Sequence, residues 1–399
     1  MKSNYEPLGK HIRLVDYRNS EEVTSTVLGI SIDKEFMPSV ANVIGTDLSR
    51  YKLISKGLFA CNPMHVGRDE RLPIALYEKA NPAIVSPAYF MFEIIDHDIL
   101  NEEYLMMWFR RPEFDRECWF MTDGSVRGGI TWDDLCRIKL PVPSYARQCE
   151  IVESYRAITD RIALKRAEND NLAKTIKAVF KSWFLDFDAF DGVELVQSQY
   201  GLIPNGWHYE LLGNLCDCVT KGTTPTTLGK DFTDTGINFI KGESINDDHS
   251  FNKTLFAHID DKTDELLKRS RIYVNDIVFT IAGTLGKFAL VDSSVVPANT
   301  NQAVAIIRTS KIMPAMLYSY FIGEWQVEFY KRNTQQAVQA NLSLGTIKDL
   351  PILLPDSKGQ DHYMQLVTPL IVGMQNNFSE IERLYELQNQ LLARLSSSR

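Results

Sequence analysis

A repeat of unusually long period runs through this chain and limits its architecture to a duplicated one. The stretch Val126-Arg127-Gly128-Gly129-Ile130-Thr131 through Leu140-Pro141-Val142-Pro143 and on to Gln148 lies over Val338-Gln339-Ala340-Asn341-Leu342-Ser343 through Ile352-Leu353-Leu354-Pro355 and on to Gln360, at a constant offset of 212 residues. Each copy reads as a polar loop, a short apolar strand closed by proline, and a helix entered just beyond it. Upstream, Leu8-Gly9 resembles Leu212-Gly213, and Lys56-Gly57-Leu58-Phe59-Ala60 resembles Asn275-Asp276-Ile277-Val278-Phe279.

The helix after the first proline carries Ile151, Tyr155, Ile158, Ile162, Lys165, Asn169, Leu172, Ile176, Val179 and Trp183 at alternating steps of four and three. That is the a/d seam of a paired helix. Moved on by 212, the same phase gives Tyr363, Val367, Leu370, Met374, Asn377, Ile381, Leu384, Gln388, Leu391 and Leu395. A helix from Ile151 to Trp183 spans about 50 Å, far beyond the usual globular helix. The two helices are expected to pair antiparallel in a pseudo-twofold repeat, with a kink or a broken turn at Pro369 and Gly373, because proline removes a helical hydrogen bond. The polar seam positions Lys165, Asn169, Asn377 and Gln388 are candidates for fixing that register.

At 399 residues the chain exceeds one hydrophobic core, and its 44% hydrophobic and 24% charged residues are those of an ordinary globular protein. The expected fold is α+β: two similar mixed α/β domains, 1–146 and 197–355, joined by a central helix at 147–190 and a distal helix at 359–397. No apolar run reaches the length of a membrane span, and Met1–Lys10 lacks the apolar stretch of a signal peptide, so a cytoplasmic protein is expected. Six cysteines form no Cys-x-x-Cys pair, which argues for reduced thiols and no metal. With 43 basic against 51 acidic residues the formal charge is −8, so any grip on nucleic acid must come from local patches or a basic partner.

Catalytic motifs are near misses. Ser86-Pro87-Ala88-Tyr89 and Asn62-Pro63-Met64-His65 lack the second proline of an adenine-methyltransferase element. In Gly283-Thr284-Leu285-Gly286-Lys287-Phe288 the glycines are too close for a P-loop, and Phe288 stands where a hydroxyl should hold magnesium. Asp260-Asp261-Lys262 gives only half of a nuclease core. All of these are read as structural. What recurs is loop chemistry suited to phosphates and base edges: Lys221, Thr223, Thr224 and Lys230 in one loop, Lys241 beyond it, Asn299, Asn301 and Gln302 in another, and Arg68 and Arg71 in the first domain. Hydroxyls, glycine amides and cations can meet phosphate, and Asn, Gln and Arg can read bases bidentately.

Across nearly its whole length the chain resembles the specificity subunit of Type I restriction-modification systems. The resemblance rests on the Pro-Val-Pro run into Gln148, the helix ending Phe180-Lys181-Ser182-Trp183-Phe184-Leu185-Asp186-Phe187-Asp188, the re-entry Gly201-Leu202-Ile203-Pro204-Asn205-Gly206-Trp207, the loop Lys221-Gly222-Thr223-Thr224-Pro225, and the repeat itself. It implies two target-recognition domains, each reading one half of a bipartite double-stranded DNA site, and helices that set the spacer and dock two methyltransferase subunits. It further implies a chain that is not an enzyme and holds no cofactor. S-adenosylmethionine, ATP and magnesium would belong to the methyltransferase and restriction subunits of the full complex, in a bacterial or archaeal cytoplasm. A free-standing sequence-specific DNA-binding protein and an enzyme with an unfamiliar site are the other classes. Tight specific binding by the purified chain would mark the first, and turnover by the chain alone the second.

Overall fold

The computed structural model describes residues 5–39, 45–64, 66–122, 128–190, 192–327 and 343–395. Of the repeat, Val126, Arg127 and residues 338–342 lie outside the described residues. The chain divides into two compact units: Met1–Ile162 with Glu382–Arg399, and Ala163–Ile381.

In the first unit the strands are β1 (Tyr5–Pro7), β2 (Ile12–Leu14), β3 (Val27–Ile30), β4 (Phe36–Pro38), β5 (Lys52–Ile54), β6 (Phe59–Cys61), β7 (Ile74–Leu76), β8 (Ala83–Val85), β9 (Phe90–Ile94) and β10 (Lys139–Pro141). Helices α1 (Val66–Asp69), α2 (Glu102–Phe109), α3 (Pro112–Phe120) and α4 (Trp132–Arg137) lie among them, and α5 (Tyr145–Lys181) begins there. Strands β6 and β8 are buried at every position, as strands covered on both faces must be. Phe59 of β6 stacks on Phe92 of β9 at 5.0 Å, and Phe109 of α2 meets Phe59 edge-on at 5.9 Å. Fully buried rings of this kind contribute roughly 1.5–3 kcal/mol each and close the sheet against the helices.

The second unit carries β11 (Leu195–Ser198), β12 (Gly201–Pro204), β13 (His208–Leu211), β14 (Cys216–Lys221), β15 (Ile237–Ile240), β16 (Ala257–Ile259), β17 (Ile277–Thr280), β18 (Phe288–Leu290), β19 (Ala298–Thr300), β20 (Val304–Thr309) and β21 (Pro351–Leu354). Among the described residues its helices are the remainder of α5, α6 (Asp261–Leu266), α7 (Pro314–Ile322), α8 (Leu344–Lys348) and the start of α9 (Ser357–Arg394). The glycine-rich segment Gly283–Lys287 is the turn of the antiparallel β17–β18 hairpin, not a strand-to-helix phosphate loop.

The two units repeat one topology. Strands β2-β9-β6-β7 form an antiparallel sheet, and β14-β20-β17-β18 form its counterpart in the same order. In the other sheet β3 lies parallel to β8 with β4 antiparallel outside it, and β15 lies parallel to β19 with β16 antiparallel outside it. Strand β5, antiparallel to β8, is matched by the single bridge from Ile272 to Ala298 on β19.

The repeat extends to single hydrogen bonds. Leu8 N donates to Ile138 O at 2.8 Å, and Leu212 N to Leu350 O at 2.9 Å. Gln148 Nε2 donates to Pro143 O and Gln360 Nε2 to Pro355 O, both at 2.9 Å, tying each long helix to its entry proline. Thr131 caps α4 and Ser343 caps α8, each accepting from the backbone N–H three residues on. One upstream match needs correcting by a residue. Gly57 and Asn275, both at positive φ (90° and 73°), are the equivalents: their amides donate to Tyr77 O and Val291 O at the turn before β6 and β17. Sequence resemblance alone sets Asn275 against Lys56.

The long helices pair within each unit. In the second, Lys165 Nζ reaches Asn377 Oδ1 at 2.9 Å, Asn169 Nδ2 reaches Met374 O at 3.3 Å, and Trp183 packs on Tyr363 at 5.2 Å, so partner numbers fall as α5 ascends. That is antiparallel packing. In the first, Gln388 Nε2 donates to Thr159 Oγ1 at 3.1 Å, and Ile151, Val152 and Tyr155 share a core with Leu391, Leu392 and Leu395. The ten seam positions of α5 and its π-helical end (Ser182–Asp186) are buried or half-buried, as are the ten on α9 and its end. α9 runs unbroken through Pro369, so the broken turn expected there is absent. Pro369 and Gln365 both face solvent, and water can satisfy the carbonyl that loses its N–H. Among the described residues no helix is long and apolar enough to cross a membrane.

Candidate nucleic-acid interface

Strand register decides which loops share an end of the sheet. In the second unit Lys221 at the close of β14 lies opposite Ala305, and Thr280 at the close of β17 opposite Val304, both at the start of β20. Ile240 at the close of β15 lies beside Thr300 at the close of β19. The segments after Lys221, Ile240 and Thr280, and the β19–β20 link, therefore emerge together, away from the end where β20 leads into α7. Lys221, Thr223, Thr224, Lys241, Asn301 and Gln302 all belong to that loop end.

Two contacts draw this loop end together. Gly222 N donates to Asn301 O at 3.0 Å, and a Cβ on Gly222 would lie 1.7 Å from Thr300 O, so only glycine permits the approach. Thr224 Oγ1 donates to Gln302 Oε1 at 2.6 Å. Lys221 is exposed, and its carbonyl accepts from Arg269 Nη2 at 3.4 Å. Arg269, which the sequence reading passed over, thereby joins the cluster. Lys230 is exposed at the far end of the same loop. Lys241 is half-buried, with its ammonium 4.9 Å from the Phe232 ring centre and 3.9 Å from Glu243.

Asn299 is withdrawn as a DNA contact. It is 0% exposed on β19, its amide nitrogen donates to Asp264 Oδ1 at 3.0 Å and Leu267 O at 3.2 Å, and its oxygen accepts from Ser270 Oγ at 2.7 Å. Asp264 also accepts from Arg271 Nε at 2.6 Å. This buried network fixes Leu267–Arg271, the segment that carries Arg269. Asn301 is half-buried and its side chain accepts from Ala303 N at 3.0 Å, so it shapes the turn.

The first unit has the corresponding end. Leu14 closes β2 opposite Phe92 and Cys61 closes β6 opposite Phe90, where β9 begins. Arg68 and Arg71 lie on the β6–β7 connection at this end. Arg68 makes two bonds to Asp69 (2.6 and 2.9 Å), which raise its affinity for the proton, and Arg71 meets Asp33 at 3.2 Å. Beneath them Lys34 is buried, donating to Asp115 Oδ1 at 2.6 Å and to Leu72 O at 2.9 Å, while Leu72 N donates back to Asp115 at 3.0 Å. Burial pushes the Lys34 ammonium below its ordinary range, and the Asp115 charge opposes that shift. The pair anchors the residue next to Arg71. Near the close of β2, Arg18 bonds Asp16 at 2.7 Å and Lys52 lies 3.5 Å from the same carboxylate. Among the described residues no group of three or more His, Cys, Asp or Glu is placed to hold a metal.

Comparison with known proteins identifies relatives of the chain. The family described as Type I restriction modification DNA specificity domain matches residues 204–382. The chain is 24% identical over 321 residues to the Type I restriction enzyme MjaIX specificity subunit of Methanocaldococcus jannaschii, covering 76% of this chain and 70% of that protein. It is 23% identical over 332 residues to the HindI specificity subunit of Haemophilus influenzae, covering 67% and 70%. Among solved structures, the Type-I restriction-modification system S subunit from M. genitalium aligns with a TM-score of 0.52 at 14% identity, covering 99% of this chain and 96% of that one. That last likeness concerns the fold. The chain thus carries a Type I restriction modification DNA specificity domain over residues 204–382 and is similar, along most of its length, to Type I restriction enzyme specificity subunits.

Proposed function

We propose that each unit reads one half of a bipartite double-stranded DNA site through the loop end of its sheets. The helices α5 and α9 set the unspecified spacer and dock two methyltransferase subunits. The observation that carries this reading is the sheet pair built twice on one topology with polar loops at the same end, the second copy lying within the matched DNA specificity domain. Specificity subunits are DNA-recognition subunits, so the chemistry of adenine N6 methylation, and of ATP-driven cleavage by restriction subunits, falls to partners that bring S-adenosylmethionine, ATP and magnesium. The formal charge of −8 supports the same division, since a basic partner must supply much of the hold on phosphate. The site residues for this role are Lys221, Thr223, Thr224, Lys230, Lys241, Gln302 and Arg269 in the second unit, and Arg68 and Arg71 in the first.

Purified chain, alone and after addition of its methyltransferase subunits, provides the test. Alone it should bind DNA weakly with little sequence preference and transfer no methyl group. With two methyltransferase subunits per chain it should bind and methylate selected sites. Methyl transfer by the chain alone, or tight sequence-specific binding by it at moderate salt, would overturn the proposal.

A further inference from the structure

We infer that Gln302 reads an adenine in the half-site of the second unit and that Thr224 is the positioning residue that holds its amide for the task. The inference rests on the reading of these loops as a DNA interface and names what one of them recognises. Gln302 is exposed on the short β19–β20 link at the loop end of the sheets. A free surface glutamine samples many rotamers, and ordering it on DNA costs entropy. Here the cost is met in advance. Thr224 occupies the N-cap position of the short turn Pro225–Leu228, where a threonine hydroxyl ordinarily accepts from the backbone amides that follow. It makes no such bond, and its hydroxyl donates instead to Gln302 Oε1 at 2.6 Å.

The loop bearing Thr224 is itself pinned to the link bearing Gln302 through Gly222 N to Asn301 O at 3.0 Å. With Asn301 engaged in the turn and Asn299 buried, Gln302 is the amide of this link left to face a ligand.

The chemistry of the amide selects the base. One bond from Thr224 leaves the oxygen a second lone pair and leaves both N–H groups of Gln302 to donate. In the major groove adenine presents an acceptor at N7 beside a donor at N6, which this pattern meets with two bonds. Guanine presents two acceptors, thymine an acceptor and a methyl, and cytosine a donor.

Methylome sequencing of a host carrying the chain and its methyltransferase, with each variant in turn, tests this. Gln302→Ala should relax the motif at a single A·T pair in one half, losing roughly five- to hundredfold discrimination there, with the other half and the spacer unchanged. Gln302→Glu, an acceptor only, should move preference at that position from adenine toward cytosine. Thr224→Val should relax the same position and Thr224→Ser should restore it, which a merely structural threonine would not do. An unchanged motif in Gln302→Ala, beside a wild-type motif that is split in two halves, overturns this inference and leaves the bipartite reading standing. A wild-type motif that is not split overturns both.

Discussion

Lys221 and Arg269 converge on one point of the second unit although 48 residues separate them, the arginine bonding the lysine's own carbonyl at 3.4 Å. Two exposed cations carried on adjoining backbone suit a phosphate, which takes a charge from any direction, better than a base edge, which needs paired donors and acceptors. Lys221→Ala and Arg269→Ala in the assembled complex should each weaken binding to all sequences and lower the slope of log affinity against log salt by about one. Salt titrations of both variants on specific and random duplexes check this. Residue type alone did not disclose this grouping. Asn299 and Asn301 stand two apart in a polar stretch and read alike in sequence, yet one is sealed in a network with Asp264 and Ser270 while the other shapes a surface turn. Strand register separates them, and a lone sequence does not contain it. Arg269 is as hard to find in sequence, because the buried bonds of Leu267 and Ser270 to Asn299 on β19 fix the segment that carries it.

At the scale of elements, the repeat places equivalent caps on α4 and α8. Thr131 and Asp134 form a reciprocal pair, with Thr131 Oγ1 donating to the Asp134 carboxylate at 2.6 Å and Asp134 N donating back to Thr131 Oγ1 at 3.1 Å. The Thr131 hydroxyl and the Thr131 backbone N–H, the latter at 3.1 Å, both donate to the Asp134 carboxylate and hold it below the usual carboxylate range. A depressed carboxylate stabilises the fold above its unfolded value, and that contribution is lost as pH falls through the folded value. Thr131→Ala should therefore cost about 0.5–2 kcal/mol at neutral pH, with the gap from wild type narrowing below the ordinary carboxylate range. Denaturant melts across pH measure both.

The helices were the most legible elements, because a 3/4 stripe specifies a face directly. The short α4 and α8 were hidden inside what reads as loop and strand, being a turn or two long with a cap as their main signal. In the second unit the seam is interrupted by Asn377 Nδ2 donating to Asn169 Oδ1 at 2.9 Å, a buried polar pair of the kind that fixes helix register. Seven residues inserted near Asn169, with seven more near Asn377, add about 10 Å of helix and turn the seam by only about 20°. The recognised bases should stay the same while the spacer grows by roughly three base pairs, at 3.4 Å each. Four residues in each helix rotate the seam by about 40°, and assembly with methyltransferase should then fail. Motif mapping and complex sizing distinguish the two.

At the scale of the whole molecule, the duplication and the mixed α/β character of both globules were readable, and the strand order inside them was not. The constant offset of 212 residues survives where α4, β10 and α5 repeat as α8, β21 and α9, since these elements bury the same faces in both copies. The globules between them keep strand order and a few turn bonds, such as those of Gly57 and Asn275, with little sequence in common. Their loops differ in chemistry, with hydroxyls, an amide and lysines in the second unit against the guanidinium groups of Arg68 and Arg71 in the first, a difference that the proposed reading of two unlike half-sites calls for. Methylome sequencing of a host that carries the wild-type chain with its methyltransferase tests the central claim most directly. The account predicts one motif in two specified halves with an unspecified middle of fixed length, whereas a continuous motif, or methylation without sequence preference, would contradict it.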